Sequence, residues 1–307
     1  MKQSVKEALN EILDGKNILW QEPMSAHTTF HVGGPADCFV TPVTEQEVSA
    51  VLRLFSNEKE PFFILGNGSN LLVSDQGYRG TIIQFAGNYN EITIKGDRII
   101  AQAGALLSEI AQRAYGQGLT GIEFASGIPG TLGGAAVMNA GAYDGEMKQV
   151  IEAVRLFDLQ SGSIICKGNE EMKFGYRRSL LKEQPMLALE VTLKLQGGDP
   201  IKIKERMEEL KASRAAKQPL EYPSAGSTFK RPEGYFAGKL IHDTGLQGYR
   251  VGGAMISEKH SGFVINAGDA TAADVLALIR SVREKVYERF HVLLEPEVCM
   301  LGEDMTV

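Results

Sequence analysis

Ser126-Gly-Ile-Pro-Gly-Thr-Leu-Gly-Gly-Ala-Ala-Val-Met-Asn-Ala-Gly-Ala-Tyr143 is a stretch built mostly from small residues. A backbone with so few large side chains can approach a flat or extended ligand closely. A second stretch, Leu65-Gly-Asn-Gly-Ser-Asn70, follows a predicted strand, and its Gly and Asn residues can turn successive N–H groups toward an anion. Tight structural turns are the alternative for each stretch. Together the two stretches predict a phosphate-bearing ligand.

The common nucleotide-binding motifs do not explain these stretches. Gly116-Gln-Gly118-Leu-Thr-Gly121 matches the dinucleotide pattern G-x-G-x-x-G, but it closes a predicted helix instead of linking a strand to a helix. The sequence also lacks the P-loop pattern G-x-x-x-x-G-K-[ST]. A nucleotide cofactor therefore has to be held by a different scaffold.

Composition limits the class of protein. With 307 residues, of which 43% are hydrophobic, the chain is long enough for two or three domains with real cores. The net charge of −6 argues against nucleic acid or an anionic membrane surface as the main partner. No apolar run approaches the roughly 20 residues of a membrane span, and residues 1–15 do not look like a signal peptide. We expect a cytoplasmic protein without membrane insertion.

The three cysteines predict neither a disulfide framework nor a metal site. Cys38, Cys166 and Cys299 are far apart and show no C-x-x-C spacing. We expect three ordinary free thiols that behave as small buried hydrophobic residues.

Periodicity and turn residues predict an α+β protein. Thr44 and Glu47 have capping-box spacing before a helix over 45–57, and Thr271 and Asp274 have it before a helix over 271–290. Further helices are predicted over 106–118 and 201–217, and the pair Gly197-Gly198 predicts a domain boundary. The predicted strands cover 62–65, 71–73, 81–85, a hairpin over 91–103 that turns at 95–97, 154–158, 163–166, 186–195 and 291–300.

The two glycine-rich stretches and several further motifs resemble the UDP-N-acetylenolpyruvoylglucosamine reductase family. These motifs follow the same order along the chain as in that family. The resemblance runs from about residue 25 to residue 302. The motifs are His27-Thr-Thr-Phe-His-Val-Gly-Gly-Pro-Ala-Asp37, Tyr176-Arg177-Arg-Ser179, Lys217-Gln-Pro219, Pro223-Ser-Ala-Gly-Ser-Thr-Phe-Lys-Arg-Pro232, and Leu294-Glu-Pro-Glu-Val298 followed by Gly302.

The resemblance implies an FAD-binding fold of the vanillyl-alcohol-oxidase (PCMH) type. Its two FAD-binding subdomains would cover 1–85 and 86–198, and a C-terminal α+β substrate-binding domain would cover 199–307. It also implies non-covalent FAD, NADPH as hydride donor, and UDP-N-acetylglucosamine enolpyruvate as substrate. Met186 follows Arg177 so closely that the chain resembles the shorter class of the family, which lacks a tyrosine-bearing loop over the substrate.

The resemblance also assigns roles to residues. Arg177 would face the substrate carboxylate, and Ser227 would donate a proton with Lys230 as a candidate to support its alkoxide. Glu297 would be the third catalytic residue, with Glu295, which would face the same side of the predicted strand, as the less favoured alternative. The substrate-binding candidates are Tyr176, Lys217, Lys230 and Arg231. The candidates for contact with FAD are Gly66, Asn67, Gly68, Ser69, Asn70, Gly127, Ile128, Pro129, Gly130, Thr131, Gly133, Gly134, Ala135, Asn139, Gly141 and Ala142.

Other interpretations of these residues stay open. Arg177 could be a solvated surface arginine, and Lys217 could merely stabilise a helix end. An FAD-dependent oxidase of the same fold, acting on an alcohol or sugar with His27 attached covalently to the flavin, is one alternative function. A non-catalytic nucleotide-sugar binding protein is another.

Overall fold

The computed structural model describes residues 1–306, which form helices and strands in mixed order. The helices are α1 (Gln3–Ile12), α2 (Glu45–Glu58), α3 (Leu107–Gly116), α4 (Leu132–Met138), α5 (Pro200–Lys217), α6 (Ala237–Asp243) and α7 (Ala272–Phe290). The strands are β1 (Ile18–Pro23), β2 (Pro35–Val40), β3 (Phe62–Leu65), β4 (Leu71–Val73), β5 (Tyr78–Gln84), β6 (Ile92–Lys95), β7 (Arg98–Gln102), β8 (Leu119–Thr120), β9 (Gly141–Ala142), β10 (Gly145–Glu146), β11 (Ile151–Asp158), β12 (Ile164–Gly168), β13 (Met186–Lys194), β14 (Gln196–Gly197), β15 (Ser224–Ser227), β16 (Arg250–Val251), β17 (Ala254–Ile256), β18 (Phe263–Asn266) and β19 (Cys299–Leu301).

Internal packing divides the chain into two units. The first comprises residues 1–19, 39–67 and 80–214, and the second comprises 20–38, 68–79 and the chain from residue 215 on. The units are thus interleaved along the sequence, and the last change from one to the other falls within α5, after Arg214. The division into 1–85, 86–198 and 199–307 differs from these bounds and stays a prediction.

The first unit contains a five-stranded antiparallel sheet in the order β12-β11-β13-β7-β6. Its central strand β13 buries Leu189, Val191 and Leu193, because alternate residues point to the same face of a sheet. The short helix α4 packs against this strand. In the same unit β3 runs parallel to the end of β5, and Gly66 follows its last residue. One face of the five-stranded sheet therefore packs against α4.

The second unit contains a four-stranded antiparallel sheet in the order β15-β18-β17-β16, with α6 and α7 contributing to its core. The N-terminus of α7 is closed by a complete capping box, in which Thr271 and Asp274 each accept the other's backbone N–H at 3.0 Å. Asp75 accepts two further N–H groups of the same first turn, from Ala272 and Ala273. The backbone N–H groups of residues 271–274, at the N-terminus of α7, therefore all have hydrogen-bond acceptors.

Most of the predicted elements are confirmed with boundaries shifted by a few residues. The helix over 45–57 is α2 with its predicted capping box, the hairpin over 91–103 is β6 and β7, and the helices over 201–217 and 271–290 are α5 and α7. Three helices were not predicted. These are α1 near the N-terminus, α4 inside the long glycine-rich stretch and α6 in the second unit.

The predicted strand over 291–300 is wrong for most of its length. His291 is left-handed, with φ of 55°, and only Cys299–Leu301 forms a strand, which pairs with β4. Pro296 lacks an N–H to donate and makes only an isolated bridge with Phe229, so the alternating pattern does not become a ladder. Glu295 and Glu297 therefore lie on an irregular segment and not on a strand.

None of the three cysteines among residues 1–306 forms a disulfide, and Cys38 is buried, whereas Cys166 and Cys299 are exposed. The expectation of burial was wrong for those two. Among residues 1–306, no cluster of three or more His, Cys, Asp or Glu side chains is placed to hold a metal ion. In the same residues, no helix is both long and apolar enough to cross a membrane.

Candidate active site

The glycine-rich stretches meet each other in the first unit. The Asn67 side chain donates a hydrogen bond of 2.9 Å to the carbonyl of Pro129. A Cβ on Gly66 would lie 2.4 Å from Thr131 Oγ1, so only glycine allows this approach. The structure thus brings the start of the first stretch against the second stretch, as two segments of one binding surface require.

The long stretch presents an open backbone surface. Gly127, Pro129 and Gly134 are exposed, and a Cβ on Gly134 would meet only Thr131 Oγ1, at 3.5 Å. Gly133, in contrast, packs against Ala103, where a Cβ would be 2.7 Å away. Thr131 caps α4 by accepting the Gly134 N–H. The exposed glycines leave room for an extended cofactor such as FAD, and the buried members of the stretch shape the backbone behind them.

Arg214 is a candidate that the sequence interpretation missed. Its side chain is half-buried against Gly127, with Cδ and Nη1 both 3.2 Å from the position of a Gly127 Cβ. Burial lowers the pKa of its guanidinium, and Tyr143 opposes that shift. Within residues 1–306, no carboxylate pairs with Arg214. Arg214 differs from the other cations of α5 only in lying beside Gly127 in the folded chain. The sequence alone does not show this contact.

Arg177 lies at the tip of a tight turn in the first unit. Gly175 and Arg178 exchange both backbone hydrogen bonds, at 3.0 and 3.2 Å, so that Tyr176 and Arg177 form a two-residue loop. Arg177 has φ of 53°, a left-handed conformation that costs free energy for a residue with a Cβ. Its guanidinium carbon lies 5.1 Å from the centre of the exposed Tyr176 ring. The turn therefore carries both predicted side chains, of which Tyr176 is exposed and Arg177 is half-buried.

Ser227 follows a bulge in the second unit. The pairing of β15 with β18 shifts between Ser224 and Ser227, and Gly226 in between has φ of 75°. Such a bulge redirects the next side chain. Ser227 is exposed, while the following Thr228 is completely buried and its hydroxyl accepts the Val264 N–H at 3.0 Å. The exposed hydroxyl of Ser227 thus lies next to a backbone that is fixed by the Thr228 bond.

Glu297 is held beside Ser227. The N–H of Glu297 donates to the carbonyl of Thr228 at 2.8 Å, and the Asn70 side chain donates to the carbonyl of Glu297 at 3.2 Å. The end of the first glycine-rich stretch therefore touches the backbone of a predicted catalytic residue. Thr29 adds two further bonds to these segments, since its N–H donates to the carbonyl of Gly68 and its hydroxyl donates to the carbonyl of Ser224. The second unit thus assembles two of the three predicted catalytic residues.

The predicted substrate-binding cations of the second unit are exposed or half-buried. Lys230 forms an ion pair of 3.0 Å with Glu295. Because this carboxylate already compensates the charge of Lys230, Lys230 is a weaker candidate to support Ser227. The guanidinium of Arg231 lies 4.0 Å over the ring of Phe236. Lys217 is exposed at the last position of α5, where stabilisation of the helix end remains open as its role.

Comparison with known proteins identifies the family. A model described as "FAD binding domain" matches residues 36–166, and one described as "UDP-N-acetylenolpyruvoylglucosamine reductase, C-terminal domain" matches residues 218–301. A UDP-N-acetylenolpyruvoylglucosamine reductase of Clostridioides difficile is 51% identical to this chain, covering 98% of it and 99% of the relative. A protein of the same name from Caldanaerobacter subterraneus is 52% identical, covering 99% and 100%. The chain belongs to the UDP-N-acetylenolpyruvoylglucosamine reductase family.

Solved structures agree with this membership. The UDP-N-acetylenolpyruvylglucosamine reductase of Thermus caldophilus matches with a TM-score of 0.80 at 39% identity, covering 93% of this chain and 98% of that one. A variant of Phl p 4, a glucose oxidase, matches with a TM-score of 0.52 at 13% identity and so shows the fold alone. The predicted family and FAD-binding fold are confirmed. As a member of the UDP-N-acetylenolpyruvoylglucosamine reductase family, the chain is a flavin-dependent oxidoreductase.

Proposed function

We propose that this chain reduces UDP-N-acetylglucosamine enolpyruvate to UDP-N-acetylmuramate with FAD as cofactor and NADPH as hydride donor. Relatives that carry the reductase name match nearly the whole chain. The observation that supports the proposal from the structure is the backbone hydrogen bond from Glu297 to Thr228, which holds Glu297 next to Ser227. The contact of Asn70 with Glu297 adds a predicted FAD-binding residue to the same place.

The chemistry requires a cation and a proton donor. Bound FAD would supply hydride to the terminal carbon of the enolpyruvyl double bond. Negative charge then develops on the neighbouring carbon and its carboxylate, and fixed positive charge at that carboxylate lowers the barrier. Arg177 provides a permanent planar cation with paired donors that match a carboxylate. Arg177 is half-buried at the second position of a two-residue turn.

Ser227 delivers the proton to the charged carbon. A serine hydroxyl is a weak acid, so it serves only because the species that it protonates is strongly basic. The bulge at Gly226 directs this exposed hydroxyl, and Thr228 fixes the backbone after it. Glu297 orients the substrate or a water molecule beside the same hydroxyl. Lys230 is engaged by Glu295, so its support of Ser227 would require the ion pair to open.

The diphosphate groups of the ligands require further cations. Lys217, Lys230 and Arg231 are the proposed substrate contacts in the second unit, and Tyr176 is the proposed contact beside Arg177 in the first. We add Arg214, because a half-buried guanidinium beside Gly127 suits a phosphate on the open glycine surface. The remaining glycine-rich residues are proposed to hold FAD mainly through their backbone.

The oxidase alternative predicts flavin attached covalently to His27. The Nε2 atom of that ring lies 2.8 Å from Glu22 Oε1. Acid precipitation checks the point directly. Flavin that stays in the supernatant shows non-covalent binding, and flavin in the pellet shows attachment to the protein. A non-catalytic sugar-nucleotide binding protein would be colourless when purified, whereas the proposed enzyme is yellow.

The decisive experiment separates the two halves of the reaction. The flavin of the purified enzyme is reduced anaerobically by NADPH and the enzyme is then mixed with UDP-N-acetylglucosamine enolpyruvate in a stopped-flow instrument. Rapid return of the oxidised flavin absorbance is expected, together with UDP-N-acetylmuramate in the product. UDP-N-acetylglucosamine, which lacks the enolpyruvyl group, is the control and leaves the flavin reduced. A reduced flavin that stays reduced with the enolpyruvyl substrate would overturn the proposal.

A further inference from the structure

The turn that carries Arg177 is attached to the glycine-rich stretch by a buried amide. Asn139, the residue that ends α4, is 1% exposed. Its Nδ2 donates to the carbonyl of Gly175 at 3.1 Å and to Glu146 Oε2 at 3.0 Å, and its Oδ1 accepts the N–H of Lys148 at 2.8 Å. Gly175 is the first residue of the turn. One side chain therefore connects three separate segments of the first unit.

A second anchor lies on the other side of the same turn. Ser179 is completely buried, and its hydroxyl donates to the carbonyl of Val137 in α4 at 2.8 Å. The turn is thus tied to the end of α4 both before and after Arg177. Because α4 lies within the stretch predicted to hold FAD, these two bonds fix the position of Arg177 relative to that stretch.

The conformation of Asn139 indicates that its side chain is required there. Its φ of 43° is left-handed, and Asn tolerates this region better than most residues with a Cβ. Glycine would serve equally well as a helix end but could make none of the three bonds. Arg177 also has a positive φ, and a strained residue persists only where its surroundings over-determine it. The two anchors supply that constraint.

We propose that Asn139, supported by Ser179, is a positioning residue of the reaction, which acts by holding the turn that presents Arg177 to the substrate carboxylate. The proposal rests on the proposed catalytic role of Arg177. It assigns to Asn139 a role in orienting Arg177, whereas the sequence placed Asn139 among the FAD contacts. Its amide is engaged by three protein groups and the residue is 1% exposed, so the proposal gives Asn139 no side-chain contact with FAD.

The first test is a double-mutant cycle on flavin reoxidation. Asn139→Gly removes the bonds without straining the left-handed backbone and is expected to slow reoxidation by substrate on the order of tenfold. Flavin reduction by NADPH is expected to be unchanged. In the Arg177→Ala background, Asn139→Gly should have no further effect, since it acts through Arg177. Lys59→Gly is the control, because it also introduces glycine at a left-handed helix end. This variant should leave both half-reactions unchanged.

A binding measurement separates positioning from general damage. UDP-N-acetylmuramate carries the carboxylate and UDP-N-acetylglucosamine does not. By calorimetry, Asn139→Gly should weaken the first ligand several-fold and leave the second unchanged. Hydrogen exchange at residues 175–179 should be faster in this variant, because the turn has lost an anchor. If Asn139→Gly does not fold, Ser179→Ala provides the same test through the second anchor.

The outcomes distinguish the two proposals. If Arg177→Ala reoxidises at the normal rate, the proposed role of Arg177 fails. If Arg177→Ala is slow but Asn139→Gly and Ser179→Ala are normal, or if the two effects multiply in the double variant, the role of Arg177 stands and the positioning role of Asn139 is overturned. Equal weakening of both ligands would also overturn it.

Discussion

The two units hold their proposed catalytic side chains in different ways. In the second unit, Ser227 ends a strand of a four-stranded sheet and is followed by a buried threonine that bonds the neighbouring strand. In the first unit, Arg177 lies on a two-residue turn at positive φ, and side-chain bonds from Asn139 and Ser179 attach that turn to α4. One position depends on a sheet, and the other depends on a few side chains.

The difference follows from what each residue has to do. A proton donor acts only within hydrogen-bond reach of one atom, so the position of its backbone must be fixed closely. A sheet fixes that position through many cooperative hydrogen bonds. A guanidinium acts on a carboxylate through charge as well as hydrogen bonds, and its long side chain can adjust. We therefore expect substitutions of Ser227 itself to have the largest effect, and those that alter the supporting backbone to have graded effects.

Replacing Ser227 with Ala gives the largest expected effect. Loss of the proton donor should slow flavin reoxidation by the enolpyruvyl substrate by about 10²–10⁴-fold, the range for general acid catalysis. Reduction of the flavin by NADPH should be unaffected, which stopped-flow absorbance measures in the same sample. Ser108→Ala, at an exposed position of α3, is the matched control. Normal reoxidation in Ser227→Ala would remove this hydroxyl from the mechanism.

Replacing Arg177 with Lys tests the other side of the comparison. The positive charge remains but the planar pair of donors is lost, so reoxidation should slow by about 10–100-fold, less than for Ser227→Ala. The neighbouring Arg178 bonds Glu183 and provides the control, because Arg178→Lys keeps a charge that can still reach a carboxylate. If the two variants behave alike in steady-state and rapid kinetics, Arg177 is only a surface arginine.

Replacing Thr228 with Val tests how strongly the sheet supports Ser227. The substitution leaves the buried N–H of Val264 without its acceptor, which should cost about 1–3 kcal/mol of unfolding free energy. Thr81 is a good control, since it is also completely buried but its hydroxyl has no hydrogen-bond partner within residues 1–306. Thr81→Val should be neutral or stabilising in urea unfolding. Equal losses would show that the Thr228 bond contributes nothing.

The sequence predicted the local elements better than the contacts that support the proposed site. Capping boxes and hairpin turns are determined within a few residues, so α2, α7 and the β6–β7 hairpin were recognised. The segment over 291–300 alternates like a strand, but Pro296 and the missing neighbour strand prevent a ladder. Periodicity does not show whether a partner strand is present.

The supports of the catalytic residues depend on contacts between distant parts of the sequence. Asn139 bonds Gly175, which is 36 residues away, and Asn70 bonds Glu297, which is 227 residues away. Arg214 lies beside Gly127 only because α5 returns to the glycine-rich stretch. No spacing rule connects such pairs. The motif resemblance proposes the catalytic residues, whereas the structure was needed to find Thr228, Arg214 and the side-chain bonds of Asn139.

Replacing Gly226 with Ala gives the smallest expected effect and addresses the bulge alone. No atom lies within 4 Å of the added Cβ, so the cost comes only from φ of 75° and should be about 1 kcal/mol of unfolding free energy. Gly96, at φ of 62° in the β6–β7 turn with equally open space, is its match, and Gly96→Ala should lose a similar stability. Only Gly226→Ala should also slow flavin reoxidation, because relief of its strain turns Ser227. If both variants lose stability and neither slows reoxidation, the sheet fixes Ser227 without help from the bulge.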